Sequence, residues 1–394
     1  MDKSKMTTTN NTNEFKQETI LKNSPNSKNF WNKKTIIGFV LGFSILVIVS
    51  VLVSVFFLGI DYSFIKDLVN KPINGTEIGF MFGMIITLLY MWIWNGYYCI
   101  VTAKQFGLKA NFFEVFLFGI FSLFLNNITP FAFGSEAFKI YWLKKKGLTT
   151  REATLSVSST TIFFSIAQIL VTWPSFIYFA TRYTDIVSND GAYAFWLTFV
   201  GLLVDLSVCT VLFSLSFSKR VHVFISTIFN RFLKWMKKPY KPKEEIINDF
   251  QTNSWFRTAY INEMKKISHV SILLIATMIY ACMIYLSMFF SFRTLGYDQP
   301  IFSAINLFNL SNVAVTANNF VPIPGGEGTI QVLMKKFINV WVNTSNNTGL
   351  TQQQIGTAID ESIFVWRSFL FYIPTIVGLL LCPVGIYVHF KKKK

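Results

Sequence analysis

The chain is predicted to be an all-α polytopic membrane protein: about six transmembrane helices and two re-entrant helical hairpins, arranged as an inverted repeat. Three observations predict this. First, 52% of the 394 residues are hydrophobic and only 14% are charged, against about 25% charged in soluble domains. Second, uncharged runs at 35–60, 78–103 and 153–181 exceed the roughly 20 residues that a spanning helix needs. Third, two other apolar stretches are interrupted by helix-breaking residues: NNITPFAFGSEAFK at 126–139 and VPIPGGEGTIQ at 321–331. Irregular backbone at membrane depth is tolerated only where protein or a water-filled cavity covers it. The two breaks are therefore expected to face each other across a polar site.

Charge supports a membrane rather than nucleic acid as the partner. The net charge is +16, but the basic residues cluster in tails and loops beside apolar runs. That pattern follows the positive-inside bias and anionic headgroups. Cys99, Cys209, Cys282 and Cys382 all lie in apolar runs without metal-ligand spacing, and His222, His269 and His389 are far apart. They read as small buried hydrophobes and scattered imidazoles, so no metal and no cofactor is expected.

Taken in order, residues 1–34 are polar and read as a disordered cytoplasmic tail ending in an interfacial anchor, Trp31 with Lys33 and Lys34. Residues 35–60 form the first span and 78–103 the second, the latter with Trp92, Trp94, Tyr97 and Tyr98 as an aromatic belt. Lys104 and Lys109 then precede the first broken stretch, and Lys144, Lys145, Lys146 and Arg151 follow it. Basic flanks on both sides place both on the cytoplasmic face, so 112–141 must enter and return as two half-helices. Residues 153–181 cross outward, and 192–217 cross back carrying Asp205.

The loop at 218–268 holds eleven Lys/Arg against four Asp/Glu and is expected to be cytoplasmic. Within it, 221–236 mixes apolar and basic residues in the manner of a surface-lying amphipathic helix. Residues 270–292 cross outward, and 299–340 repeat the pattern of the first hairpin. If the last span runs inward, this second hairpin must enter and leave from outside, and Lys335 and Lys336 on its return arm run against that placement. A polar uncharged stretch, 343–354, precedes a last span at 362–389. The single transmembrane domain thus covers 35–390, with repeat halves at about 35–181 and 192–390.

The sharpest motif is Pro322 to Gly328. Its prolines fix φ, and its glycines allow positive φ and close backbone approach. The following helix would point its N-terminal N–H groups at the break, a setting that suits an anion such as phosphate; a tight loop with no ligand is the bland alternative. Pro324, Gly325, Gly326, Glu327, Gly328 and Gln331 are accordingly candidate binding residues. In the first stretch the candidates are Asn126, Asn127, Pro130, Gly134, Glu136 and Lys139. The asparagines could instead serve backbone groups freed near Pro130. Glu136 and Lys139 are three apart and could pair with each other or contact a zwitterionic headgroup. Arg367 can bind phosphate bidentately or snorkel at the outer interface, with Asp360 and Glu361 as its nearest counterions in sequence. Asp205 and Glu361 are candidate coupling carboxylates, because intramembrane acids demand a partner or water.

At these residues the chain resembles the transmembrane domain family of lysylphosphatidylglycerol synthases. The resemblance rests on 127–139 followed by WLKKKG, on 322–328, and on Trp366-Arg367 followed by Tyr372, Pro374 and Gly378. It departs at Ser135, where a second Gly is usual; at Lys139, where Arg or Gln is usual; and at Gln331, where Glu is frequent. The resemblance implies a bacterial plasma-membrane flippase that moves phospholipid, including aminoacylated phosphatidylglycerol, between leaflets. The polar tail and Lys391 to Lys394 place both termini of this multi-pass chain in the cytoplasm by the positive-inside rule. The chain stops at Lys394, so the lysyltransferase domain carried by bifunctional members is not expected, and the chain is not expected to be an enzyme. Two alternatives stand beside this reading. One is a transferase acting on lipid or polyprenyl phosphate, with Glu136 or Asp205 as base. The other is a scaffold that binds a separate lipid synthase through 218–268. Membrane phospholipids are the expected partner, nucleic acid is not, and homo-oligomerisation is left open.

Overall fold

Four of the helices begin on the same local device, a side chain that caps the first turn and a residue three positions later that reaches back. The computed structural model describes residues 70, 74–129, 133–182, 192–235, 242–252, 254–319, 321, 323–343 and 350–381. Asn74 and Glu77 open α1, Gly75–Ala103. Asn111 and Glu114 open α2, Phe112–Ile128. Thr149 and Glu152 open α4, Thr150–Arg182. Thr351 and Gln354 open α12, Gln352–Arg367, which continues to Leu381. Between them lie α3 (Phe133–Lys145), α5 (Ala192–Phe217), α6 (Lys219–Trp235), α7 (Lys243–Thr252), α8 (Ser254–Met264), α9 (Ile267–Thr294), α10 (Ala304–Ala317) and α11 (Thr329–Asn343). Among the described residues there is no strand. The expected tail, the first span at 35–60 and the end of the last span beyond 381 lie outside the described residues.

The four helices α1, α4, α9 and α12 are long and apolar enough to cross a membrane. The two interrupted stretches fold as antiparallel pairs. In the first, Lys146 Nζ just after α3 lies 2.5 Å from Glu114 Oε1 at the start of α2, so both ends of the pair sit at one level. In the second, Trp341 Nε1 near the end of α11 donates to Ile301 O just before α10, at 3.4 Å. At about 1.5 Å per residue the arms are about 20–26 Å long, short of the roughly 30 Å hydrocarbon thickness.

Helix packing depends on glycine where backbones touch. A Cβ on Gly119 of α2 would stand 1.9 Å from Trp92 O, and one on Gly96 of α1 would stand 2.0 Å from Val115 O. Small residues allow this approach, which helices in lipid use in place of a hydrophobic drive. The main core lies where α1, α9, α10, α11 and α12 meet, around Met84, Phe292, Phe302, Phe337 and Trp366.

Two sequence expectations are corrected here. The aromatic belt of the second span is mostly internal: Trp92, Trp94 and Tyr98 are buried and only Tyr97 is well exposed. These rings pack against neighbouring helices, as in the edge-on Trp92–Phe116 contact, rather than marking an interface. The last helix starts ten residues before the expected Ser362, because the Thr351–Gln354 box nucleates it inside the polar stretch. Its acids are thereby helical: Asp360 takes Lys335 at 2.7 Å, and Glu361 takes Tyr297 at 2.8 Å. That pairing also accounts for Lys335 on the return arm.

The loop 218–268 is largely helical. On α6 the exposed residues Arg220, Phe224, Ile228, Arg231 and Trp235 share one face, a basic and apolar mixture suited to a lipid surface. Helix α8 packs against α4, α5 and α9. It buries Glu263, which is 2% exposed and accepts from Ser159 Oγ at 2.8 Å. Glu263 Oε1 has no hydrogen-bond partner among the described residues. Burial raises the Glu263 pKa, with Ser159, Gln105 and Lys266 pulling it back. A raised carboxyl pKa favours the protonated form in the fold. Stability from this group is therefore present at acidic pH and is lost as pH rises from about 4.3 through the raised value. Glu263→Gln should abolish this decline. Thermal unfolding in detergent across that range should show a wild-type minus variant difference that grows more negative with pH; a constant difference would refute the assignment.

Candidate functional site

The second break is a glycine turn built on Pro324. Gly325, Gly326 and Gly328 adopt φ of 59°, 63° and 82°, in the left-handed region open to glycine. Side-chain room is absent as well: a Cβ on Gly325 would meet Phe371 Cε2 at 2.0 Å, and one on Gly326 would meet Asn318 Nδ2 at 2.4 Å. Thr329, the first residue of α11, donates to Asn318 Oδ1 and lies 3.1 Å from Gly326 O. The turn is thus clamped between the end of α10 and the start of α11.

At the centre of the site is a buried ion pair. Arg367 Nη2 donates to Glu327 Oε2 at 2.6 Å and to Gly325 O at 3.0 Å. The two side chains are 5% and 4% exposed. Glu327 Oε1 also accepts from Tyr372 Oη at 2.6 Å and from Gln331 Nε2 at 2.5 Å. Gln331 Oε1 in turn accepts from Gly328 N at 2.8 Å. The guanidinium stacks 4.4 Å from the Phe371 ring centroid, and Arg367 Nε has no hydrogen-bond partner among the described residues. Pairing with Asp360 or Glu361 is overturned: Arg367 takes its counterion from 40 positions earlier in the chain. At 5% exposure it is not a snorkelling residue either.

A single π turn, Ser368–Tyr372, makes this convergence possible; Ile373 N bonds to Ser368 O. In a regular α-helix, residues five apart point roughly 140° away from each other. The wider i→i+5 turn brings them to one side, so Arg367 and Tyr372 both reach Glu327.

The first break meets the second here, with α2 packed against the glycine turn. Asn127, 5% exposed, donates to Thr375 Oγ1 at 3.2 Å and to Phe371 O at 3.5 Å, beside the π turn. It serves the last helix rather than the backbone around Pro130, which lies outside the described residues, as does Pro322. Asn126 is exposed on the other face. Thr129 closes the break itself: its hydroxyl donates to Leu125 O at 2.6 Å and accepts from Gly134 N at 3.0 Å. A Cβ on Gly134 would collide with Thr129 Cγ2 at 2.5 Å.

The other predicted residues fall outside this centre. Glu136 and Lys139 pair with each other at 2.9 Å, and Thr161 Oγ1 lies 3.4 Å from the second Glu136 oxygen. Asp205, midway along α5, accepts from Asn319 Nδ2 at 2.8 Å. Glu361 is bound to Tyr297. Sequence reasoning missed Tyr372, Thr375, Thr129, Asn318 and Asn319 as parts of the site. The polar residues at 318 and 319, directly before the glycine turn, were the one signal that could have flagged the last two.

Comparison with known proteins bears on this arrangement. The family described as the lysylphosphatidylglycerol synthase TM region matches residues 36–378. The chain is 32% identical over 382 residues to the uncharacterized MG306 homolog of Mycoplasma pneumoniae, covering 94% of each. It is 32% identical over 373 residues to uncharacterized protein MG306 of Mycoplasma genitalium, covering 92% of this chain and 93% of that one. A shorter match, 32% over 106 residues, links it to a UPF0104 membrane protein of Methanocaldococcus jannaschii, covering 26% of this chain and 30% of the other.

Proposed function

Because the chain belongs to the lysylphosphatidylglycerol synthase TM-region family, we propose that this multi-pass membrane protein moves phospholipid between leaflets, with aminoacylated phosphatidylglycerol as one candidate cargo. The observation that carries the proposal is the buried Arg367–Glu327 pair, set where two broken helices meet. A buried ion pair gains little stability over an apolar one, so its presence at membrane depth points to function. The guanidinium retains a donor, Nε, for an incoming anion, and the α11 N-terminus adds backbone N–H groups beside it. A headgroup phosphate would exchange with Glu327 for Arg367, freeing the carboxylate to take a cationic or hydroxyl headgroup together with Tyr372 and Gln331. Asn126, Glu136 and Lys139 would line the approach from the first hairpin, and acyl chains would remain in lipid. The expected setting is a bacterial plasma membrane with both termini cytoplasmic, the hairpins entering from opposite sides as halves of an inverted repeat.

The test is reconstitution of the full chain in phosphatidylglycerol vesicles carrying a headgroup-labelled phospholipid, with a quencher added outside. Quenching well beyond the outer-leaflet share, relative to protein-free vesicles, is the expected result. Quenching equal to that of empty vesicles would overturn the proposal. In that event, modified lipid formed without translocation would point to a transferase, and a co-purifying synthase to a scaffold.

A further inference from the structure

We propose that Asp205 is a proton-binding site that controls the glycine turn through Asn319 and Asn318. This rests, for its biological meaning, on the lipid-moving reading above. Asp205 stands midway along the apolar helix α5, where an ionised carboxylate is costly without a partner or water. Glu327 meets that cost with Arg367. Asp205 does not: its partner is the neutral amide of Asn319, at 2.8 Å.

The surroundings of Asp205 leave protonation as the way to remove its charge. From α9, Tyr285 faces it as a titratable group. From α4 comes the neutral Gln168, which donates to Tyr285 Oη at 2.8 Å and whose Oε1 has no partner among the described residues. On α8, Tyr260 and Glu263 are turned toward Ser158 and Ser159 of α4. The cations of α6 begin at Lys219 and Arg220, beyond the end of α5 and 14 or more residues along the chain from Asp205. Among the described residues no cation is paired with Asp205.

The path to the site is short and continuous. Asn319 and Asn318 are consecutive and directly follow α10, their N–H groups bonded back to Thr316 O and Val315 O. Asn318 accepts from Thr329, and its Nδ2 occupies the space that a Cβ on Gly326 would need. Gly325, next in the turn, offers its carbonyl to Arg367. Ionised Asp205 can only accept, so it holds Asn319 with the amide N–H₂ facing it. Once protonated it also donates, and the Asn319 amide is free to turn its oxygen inward. The charge-assisted bond that fixes the Asn319 side chain is then lost, which frees the end of α10 and loosens the clamp on the glycine turn. Translocation should therefore be faster with Asp205 neutral.

In the vesicle assay, run from about pH 5 to about pH 9, the wild-type rate should fall about tenfold per pH unit on the alkaline side, as for one bound proton. Asp205→Asn mimics the neutral acid and should be fast and flat with pH. Asn319→Ala keeps the carboxyl but cuts the path, so its rate should also be flat. A pH-independent wild-type rate, or an unchanged slope in Asp205→Asn, would overturn the proposal. If the wild type moves no lipid at any pH, the lipid-moving reading fails by itself. Infrared difference spectra of the same samples then decide this one. A carboxylic-acid band that grows on acidification and is missing from Asp205→Asn supports the site, and its absence from the wild type refutes it.

Discussion

Arg367→Ala should abolish translocation and destabilise the protein by about 3–5 kcal/mol, the cost of leaving one member of a buried pair without its counterion. The loss is large because Glu327 would remain 3% exposed with only Tyr372 and Gln331 to solvate a full negative charge. Gly325 O would lose its donor in the same step. Glu327→Gln should be milder, because a neutral amide can still bond Arg367 and Tyr372. The double variant Arg367→Ala with Glu327→Gln should be more stable than Arg367→Ala alone, with a coupling of about 1–3 kcal/mol in the cycle. Denaturant titration in detergent, followed by tryptophan fluorescence, measures all four corners. Additive single effects would mean that the pair is not the element holding the glycine turn. Translocation by Arg367→Ala at the wild-type rate would remove Arg367 from any role with phosphate.

Gly119→Val should prevent stable folding, with a cost of about 3 kcal/mol or more. The new Cβ would lie 1.9 Å from Trp92 O. That is backbone against backbone, so no rotamer change relieves it. α1 and α2 must separate, and α2 carries Asn127 to the site, so translocation should fall with stability. Gly79→Ala, on α1 with nothing within 4 Å of its Cβ, is the control; it should be neutral or gain a little from helix propensity. Yield of monodisperse protein and thermal midpoint in detergent separate the two. Equal midpoints would show that α1 and α2 pack less closely than described.

Much of the architecture was legible because its signals are local. Pro130, and Pro324 to Gly328, read as helix breaks, and apolar arms too short to span announced hairpins. Gly325, Gly326 and Gly328 needed positive φ and have it, whereas Gly134 already belongs to α3. What escaped was long-range or a matter of helical phase. Glu327 and Arg367 are 40 positions apart and nothing in either neighbourhood names the other; proximity in sequence favoured Asp360 and Glu361, which the fold gives to Lys335 and Tyr297. Tyr372 was invisible as a site residue because helical periodicity puts it on the far side from Arg367. The start of the last helix was legible and was overlooked: Thr351 and Gln354 spell a capping box within a stretch whose polarity reads as loop. Trp92, Trp94 and Tyr98 misled because aromatic residues at a span's end serve an interface and a helix contact equally well.

The widened turn between Arg367 and Tyr372 lets the last helix carry one residue more than a regular helix of the same length. In a chain one residue shorter there, the bond from Ile373 N to Ser368 O would close an ordinary i→i+4 turn. Everything beyond would keep its phase: Thr375 would still meet Asn127, and Gly378 would still lie against Phe124. The same deletion in a regular stretch of this helix would turn all that follows by about 100°. A lost residue is therefore absorbed at the widened turn and propagated everywhere else.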